Sequence, residues 1–147
     1  MAVEQLSPNS VHSSTRRLVV IVPDGELNEI HFAHQVWELA QVHRSNVLFF
    51  TVARNDDELM SAQHRMTHLA AATHDFRTPV STQVDYQTSW TRSLKRILRP
   101  EDLVVCQADQ SITSLGFLHK PLLELLVQQF SVPVYTLSSR KNGKPSG

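Results

Sequence analysis

Strands that alternate with amphipathic helices predict an α/β protein: a three-layer fold with a five-stranded, mostly parallel sheet and helices on both faces, Rossmann-like in outline. Three observations carry this expectation. Residues 18–22 are an unbroken apolar run and residues 47–52 are apolar but for Thr51, as strands buried on both faces require. Segments with apolar residues three and four apart separate the runs, as crossover helices demand. The chain's 147 residues, 41% apolar and 19% charged, suffice for one domain. A chain of this size buries roughly 70% of its unfolded surface and needs no disulfide or metal staple.

Taken in order, the first strand is Leu18-Val19-Val20-Ile21-Val22, stopped by the turn signal Pro23-Asp24-Gly25. Glu26 and Glu29 then open a helix with Ile30, Ala33, Trp37 and Ala40 as its stripe, the acids standing where a helix N-terminus favours negative charge. Residues 46–52 form the second strand. Asn55 followed by Glu58 resembles a capping box, with Leu59, Ala62, Met66 and Leu69 as the stripe behind it. Val80, Thr82, Val84 and Tyr86 alternate with polar residues, the pattern of a half-covered strand. Trp90, Leu94, Ile97 and Leu98 mark a third helix. Glu101 and Asp102 lead into a fourth strand, Leu103-Val104-Val105-Cys106. Leu118, Leu122, Leu125, Leu126 and Phe130 predict a fourth helix, and residues 132–137 a fifth strand with Pro133 near its start. Residues 1–15 and 140–147 read as flexible ends around a domain of residues 16–139.

Charge and composition narrow the function. Fourteen basic and fourteen acidic residues leave no surplus for phosphate contacts, which argues against nucleic acid as the partner. No run approaches the roughly 18 consecutive apolar residues of a membrane span, and the first 15 residues lack a secretory apolar core, so a cytoplasmic location is expected. Cys106, the single cysteine, rules out an internal disulfide; its neighbours Gln107 and Asp109 offer no activating base, so it reads as a small buried hydrophobe. Of the eight histidines, His64 and His68 lie four apart on one helix, with His74 shortly after, and His31 and His34 three apart. Zinc would need a third ligand and usually a fourth, so solvated surface histidines are expected and no metal. There is no Gly-x-Ser-x-Gly elbow for a serine nucleophile and no phosphoacceptor set of a receiver domain; no catalytic residue is assigned. Trp37 and Trp90 fall on apolar stripes and read as core or interface.

Where parallel strands end, ligands collect, so a site is expected among the residues that follow them. The order and spacing of three pieces resemble the universal stress protein superfamily over residues 17–138. They are Val20-Ile21-Val22-Pro23-Asp24-Gly25, Asp102-Leu103-Val104-Val105, and Glu124-Leu125-Leu126 running on to Ser131-Val132-Pro133-Val134. The resemblance implies an ATP site at which Pro23, Asp24 and Gly25 and the Val52-Ala53 backbone line the ribose and adenine ends. It also implies a homodimer made by the last strand, through Val132, Val134, Tyr135 and Leu137, with a protein partner as a further possibility. Family members hold the triphosphate with a glycine motif after the fourth strand, because glycine lets backbone N–H groups approach phosphate closely. Here that stretch reads Gln107-Ala108-Asp109-Gln110-Ser111-Ile112-Thr113-Ser114-Leu115-Gly116. The early glycines are missing, Asp109 brings negative charge, and the closing pair falls on Lys120-Pro121, where Pro121 has no N–H to give. Ala108, Asp109, Gly116 and Lys120 are the candidates there, with Lys120 a compensating point charge.

The expected function is therefore a stress-protein-like binding and regulatory module that does not grip ATP in the family's usual manner and needs no cofactor. The alternatives are a weak ATPase using ATP and Mg²⁺, with Asp24 near the metal or phosphates, and a sensor of another small ligand.

Overall fold

The computed structural model describes residues 16–114 and 118–138. The expected flexible ends and Gly116 lie outside them. In chain order the elements are β1 (Arg17–Ile21), α1 (Glu29–His43), β2 (Asn46–Ala53), α2 (Asp56–Ala72), β3 (Val80–Tyr86), α3 (Trp90–Ile97), β4 (Leu103–Gln107), β5 (Ser111–Ser114), β6 (Leu118–Pro121), α4 (Leu122–Gln129) and β7 (Val134–Leu137). The main sheet has the order β3-β2-β1-β4-β7, and all its pairings are parallel. This is the architecture the alternating pattern predicts.

Two-residue periodicity divides the apolar runs between two cores. Leu18, Val20 and Val22 face one side with Val47 and Phe49, under Phe32, Val36 and Leu39 of α1 and Met66 and Leu69 of α2. Val19 and Ile21 face the other with Leu48 and Phe50, under Leu94 of α3 and Leu122, Leu125 and Leu126 of α4. An unbroken run is thus the signature of a strand with helices over both faces. Cys106 belongs to the second core, and burial pushes its thiol up to about 11. Trp90 meets Phe50 edge-on at 6.0 Å in the same layer.

Three helix starts follow from side-chain caps. The side-chain oxygens of Asn28, Asn55 and Ser89 accept the backbone N–H groups of His31, Glu58 and Arg92. Glu58 reaches back to the backbone N–H of Arg54 at 2.8 Å, one residue before the N-cap Asn55, so the expected capping box keeps its Asn55 half while its Glu58 half shifts by one residue.

Several expectations are corrected. The fourth helix does not begin at Leu118: residues 118–121 are β6, paired antiparallel with β5 in a separate two-stranded sheet. Leu118 lies four residues before Leu122 and mimics one more helical turn, but Pro121 sits at the N-cap and marks where α4 starts. The first helix starts at Glu29, not Glu26, and Ile30 points outward at 76% exposure; Phe32, Val36 and Leu39 carry the buried face. The last strand begins at Val134, so Val132 precedes it. In β3 the exposed phase includes Thr82 and Tyr86, whereas Asp85 is buried, where it pairs with Arg96 and accepts from Gln83 at 2.8 Å.

Asp102 is 1% exposed. Its carboxylate accepts from Arg17 Nε at 3.1 Å, Arg17 Nη2 at 2.7 Å and the Arg99 backbone N–H at 2.8 Å. The acid before β4 is thus a structural anchor that ties the start of β1 to the α3–β4 turn.

Candidate functional site

A cleft of about 430 Å³ opens at the carboxyl ends of β1 and β2. Val22, Pro23, Asp24 and Gly25 form one wall, directly after β1. Thr51 and Val52 of β2 lie at its base. The other wall is α2, through Asp57, Glu58, Ser61, Ala62, Arg65 and Met66. Beside it, sharing Asp24, Val52 and Glu58, a small extension of about 30 Å³ is lined by Arg54, Trp90, Gln110, Ser111 and Ile112.

Four predicted site residues, Pro23, Asp24, Gly25 and Val52, come together here. Ala53 does not join them: it is fully buried, and its carbonyl accepts the Gln87 N–H at 2.8 Å. Ala108 lies in the turn after β4, where its N–H donates to the Leu137 carbonyl at 3.1 Å. Asp109 is exposed in the same turn, and Lys120 is exposed on β6 opposite Ile112. Gln110, beside them, donates its N–H to the Gln107 carbonyl, and its side-chain oxygen accepts the Gln107 N–H.

The stretch after β4 is therefore a turn and a hairpin. Its consequence falls on α4. Helix N-termini offer unpaired N–H groups to anions. At α4 the Leu122 N–H already donates to the Gln110 carbonyl at 3.0 Å, and the N-cap is Pro121, which has no N–H and makes no side-chain cap.

Sequence reading missed Arg65. From α2 its guanidinium reaches the β1–α1 loop: Nη1 donates to the Pro23 carbonyl at 2.6 Å, Nη2 to the Gly25 carbonyl at 2.6 Å and Nε to Glu29 at 3.2 Å. Glu29 also meets His68 Nδ1 at 3.0 Å. Gly25 takes φ +79°, a conformation costly for any side chain, so the loop presents its carbonyl to Arg65 at the one position that tolerates this turn. The partners lie 36 to 42 residues away, so no local pattern announces the strap. At the mouth, Arg54 pairs with Glu58. That hydrogen bond is the main reason the Glu58 carboxyl lies below its usual range, against the opposing effect of burial. The same bond raises Arg54, and Asp24 adds to its field.

His31, His34, His64, His68 and His74 are exposed, as expected, and several of them face acids. His68 pairs with Glu29, His74 with Asp75 and His34 with Glu38, and the rings of His64 and His68 lie 4.3 Å apart. Among the described residues no three His, Cys, Asp or Glu side chains gather as metal ligands, and no helix is long and apolar enough to cross a membrane.

Comparison with known proteins places the architecture. No family model matches the chain, and no curated protein matches it in sequence. Nine solved chains match by structure. Among them is a universal stress protein from Archaeoglobus fulgidus, at TM-score 0.55 and 10% identity, covering 82% of this chain and 92% of that one. The chain therefore has a three-layer α/β fold similar to that of a universal stress protein.

Proposed function

We propose that the chain is a stress-protein-like binding and regulatory module that does not hold ATP by the usual triphosphate contacts and works through self-association and a protein partner. One observation carries this reading: the hairpin after β4 delivers the Gln110 carbonyl to the Leu122 N–H, so the first N–H of α4 is spent within the chain and Pro121 before it has none. A phosphate brought there would meet a carbonyl oxygen and a proline. Each missing hydrogen bond to a charged acceptor costs about 1.5–3 kcal/mol, so losing two costs orders of magnitude in affinity. For self-association, β7 ends the main sheet among the described residues, with Tyr135 46% exposed. An open strand edge of this kind favours pairing with a second copy.

A second reading, a sensor of another small ligand, is favoured by the cleft beside Asp24. A thermal-shift screen of ATP, AMP, cyclic nucleotides and Mg²⁺, run with light scattering, tests both. The module reading expects no stabilisation by ATP and the mass of a dimer. The sensor reading expects a shift with a ligand other than ATP. Stabilisation by ATP together with phosphate release would overturn both in favour of a weak ATPase.

A further inference from the structure

We infer that the cleft between the β1–α1 loop and α2 selects a small amphipathic organic cation, an aryl- or alkylamine, in preference to a neutral or anionic molecule. This rests on the sensor reading above. The cavity itself is the primary observation: about 430 Å³ lies within the range of roughly 300–1,000 Å³ typical of small-molecule sites. Val22 on one wall, Val52 at the base and Ala62 and Met66 on the other wall give it apolar surface that suits a ring or an alkyl chain.

The charges then set the sign. Among the described residues the cleft and its narrow extension carry Asp24, Asp57 and Glu58 against Arg54 and Arg65. Both guanidiniums are already engaged. Arg54 is paired with Glu58, and Arg65 is held by two carbonyls and Glu29. An incoming phosphate or carboxylate would have to draw Arg65 from its strap or Arg54 from Glu58 to gain a guanidinium, and would still face Asp24 and Asp57. An ammonium gains the exposed carboxylates of Asp57 and of Asp24, the latter shared with the field of Arg54, without disturbing the strap, while its apolar body covers Met66. A concave site concentrates such a field more than a flat surface does.

The test uses three molecules of nearly one shape: tryptamine (cation), tryptophol (neutral) and indole-3-propionate (anion). Binding is read by calorimetry and by the Met66 methyl resonance, assigned with Met66→Leu. Tryptamine is expected to shift Met66 and to bind at least about tenfold tighter than tryptophol, the gain of two partly screened ion pairs. Indole-3-propionate is expected to be weakest. Added salt narrows the gap between amine and alcohol, and Asp57→Asn alone, then Asp24→Asn/Asp57→Asn together, bring the amine toward the alcohol. Both positions are exposed; Asp57→Asn gives up one first-turn acid of α2, so a cooperative melting transition within a few degrees of the wild type confirms that the variants fold. Equal affinity for amine and alcohol, or preference for the anion or ATP, overturns the cation inference while leaving a ligand cleft in place. Failure of all three molecules to move Met66 also overturns the cation inference, whereas the sensor reading falls only if the thermal-shift screen above is flat as well.

Discussion

Replacing Arg65 by Met removes the strap across the cleft while keeping most of the side-chain stem. Three interactions disappear: the bonds to the Pro23 and Gly25 carbonyls and the ion pair with Glu29. In full burial, hydrogen bonds to a charged group contribute about 1.5–3 kcal/mol each. The Arg65 side chain is 20% exposed and that of Glu29 24%, so screening reduces each contribution. Glu29 also keeps His68 as a partner. A total loss of about 2–3 kcal/mol is expected. At about 4 °C per kcal/mol for a domain of this size, the melting temperature falls by about 8–12 °C. Hydrogen exchange at residues 24–27 reports the local effect, because the loop loses its only cross-link to α2 among those described. Arg65→Lys recovers little, since an ammonium on a flexible stem does not span two carbonyls and a carboxylate at once. If Arg65→Met stays within 0.5 kcal/mol of the wild type by urea titration and leaves exchange in the loop unchanged, the strap is not what fixes this wall.

Arg17→Met leaves the Asp102 carboxylate, whose side chain is 2% exposed, without its guanidinium. The expected loss is about 3–5 kcal/mol, read as an earlier urea midpoint; a loss below about 1 kcal/mol would contradict the anchoring role. Glu58→Gln should cost about 0.5–1 kcal/mol at neutral pH. Because the folded carboxyl lies below its ordinary value, this contribution is present above the unfolded pKa and fades as pH falls through the folded one. The stability gap between variant and wild type should therefore close in acid, and a gap that widens there would refute the assignment. Cys106, buried and with its thiol pushed up to about 11, should resist a disulfide reagent at pH 8 in the native protein and react fully in denaturant.

The parts of the fold that could be read in advance rest on local chemistry. The runs after Arg17 and Asn46 announce strands covered on both faces, and Asn55 with Glu58 announces the start of α2 through one side-chain cap. What escaped depends on distant partners or on a choice between two local signals. Leu118 extends the leucine stripe of α4 by one turn, yet Pro121 and the pairing with β5 hold it in a strand; the proline was the signal to follow. Asp85 breaks the alternation of β3 because Arg96, on the next helix, neutralises it. At the cleft, Asp24 and Val52 were reachable because they follow the first two strands. Arg65 was not, since nothing within ten residues of it names its partners.

The most direct test follows the Leu122 amide in nitrogen-15 spectra while Mg²⁺–ATP is added. Its hydrogen bond to Gln110 predicts a resonance that stays in place and an amide that exchanges slowly throughout. A large, saturable shift of that amide at low ATP concentration would mean that the hairpin opens to receive a phosphate, and the account of a closed triphosphate cradle would fail.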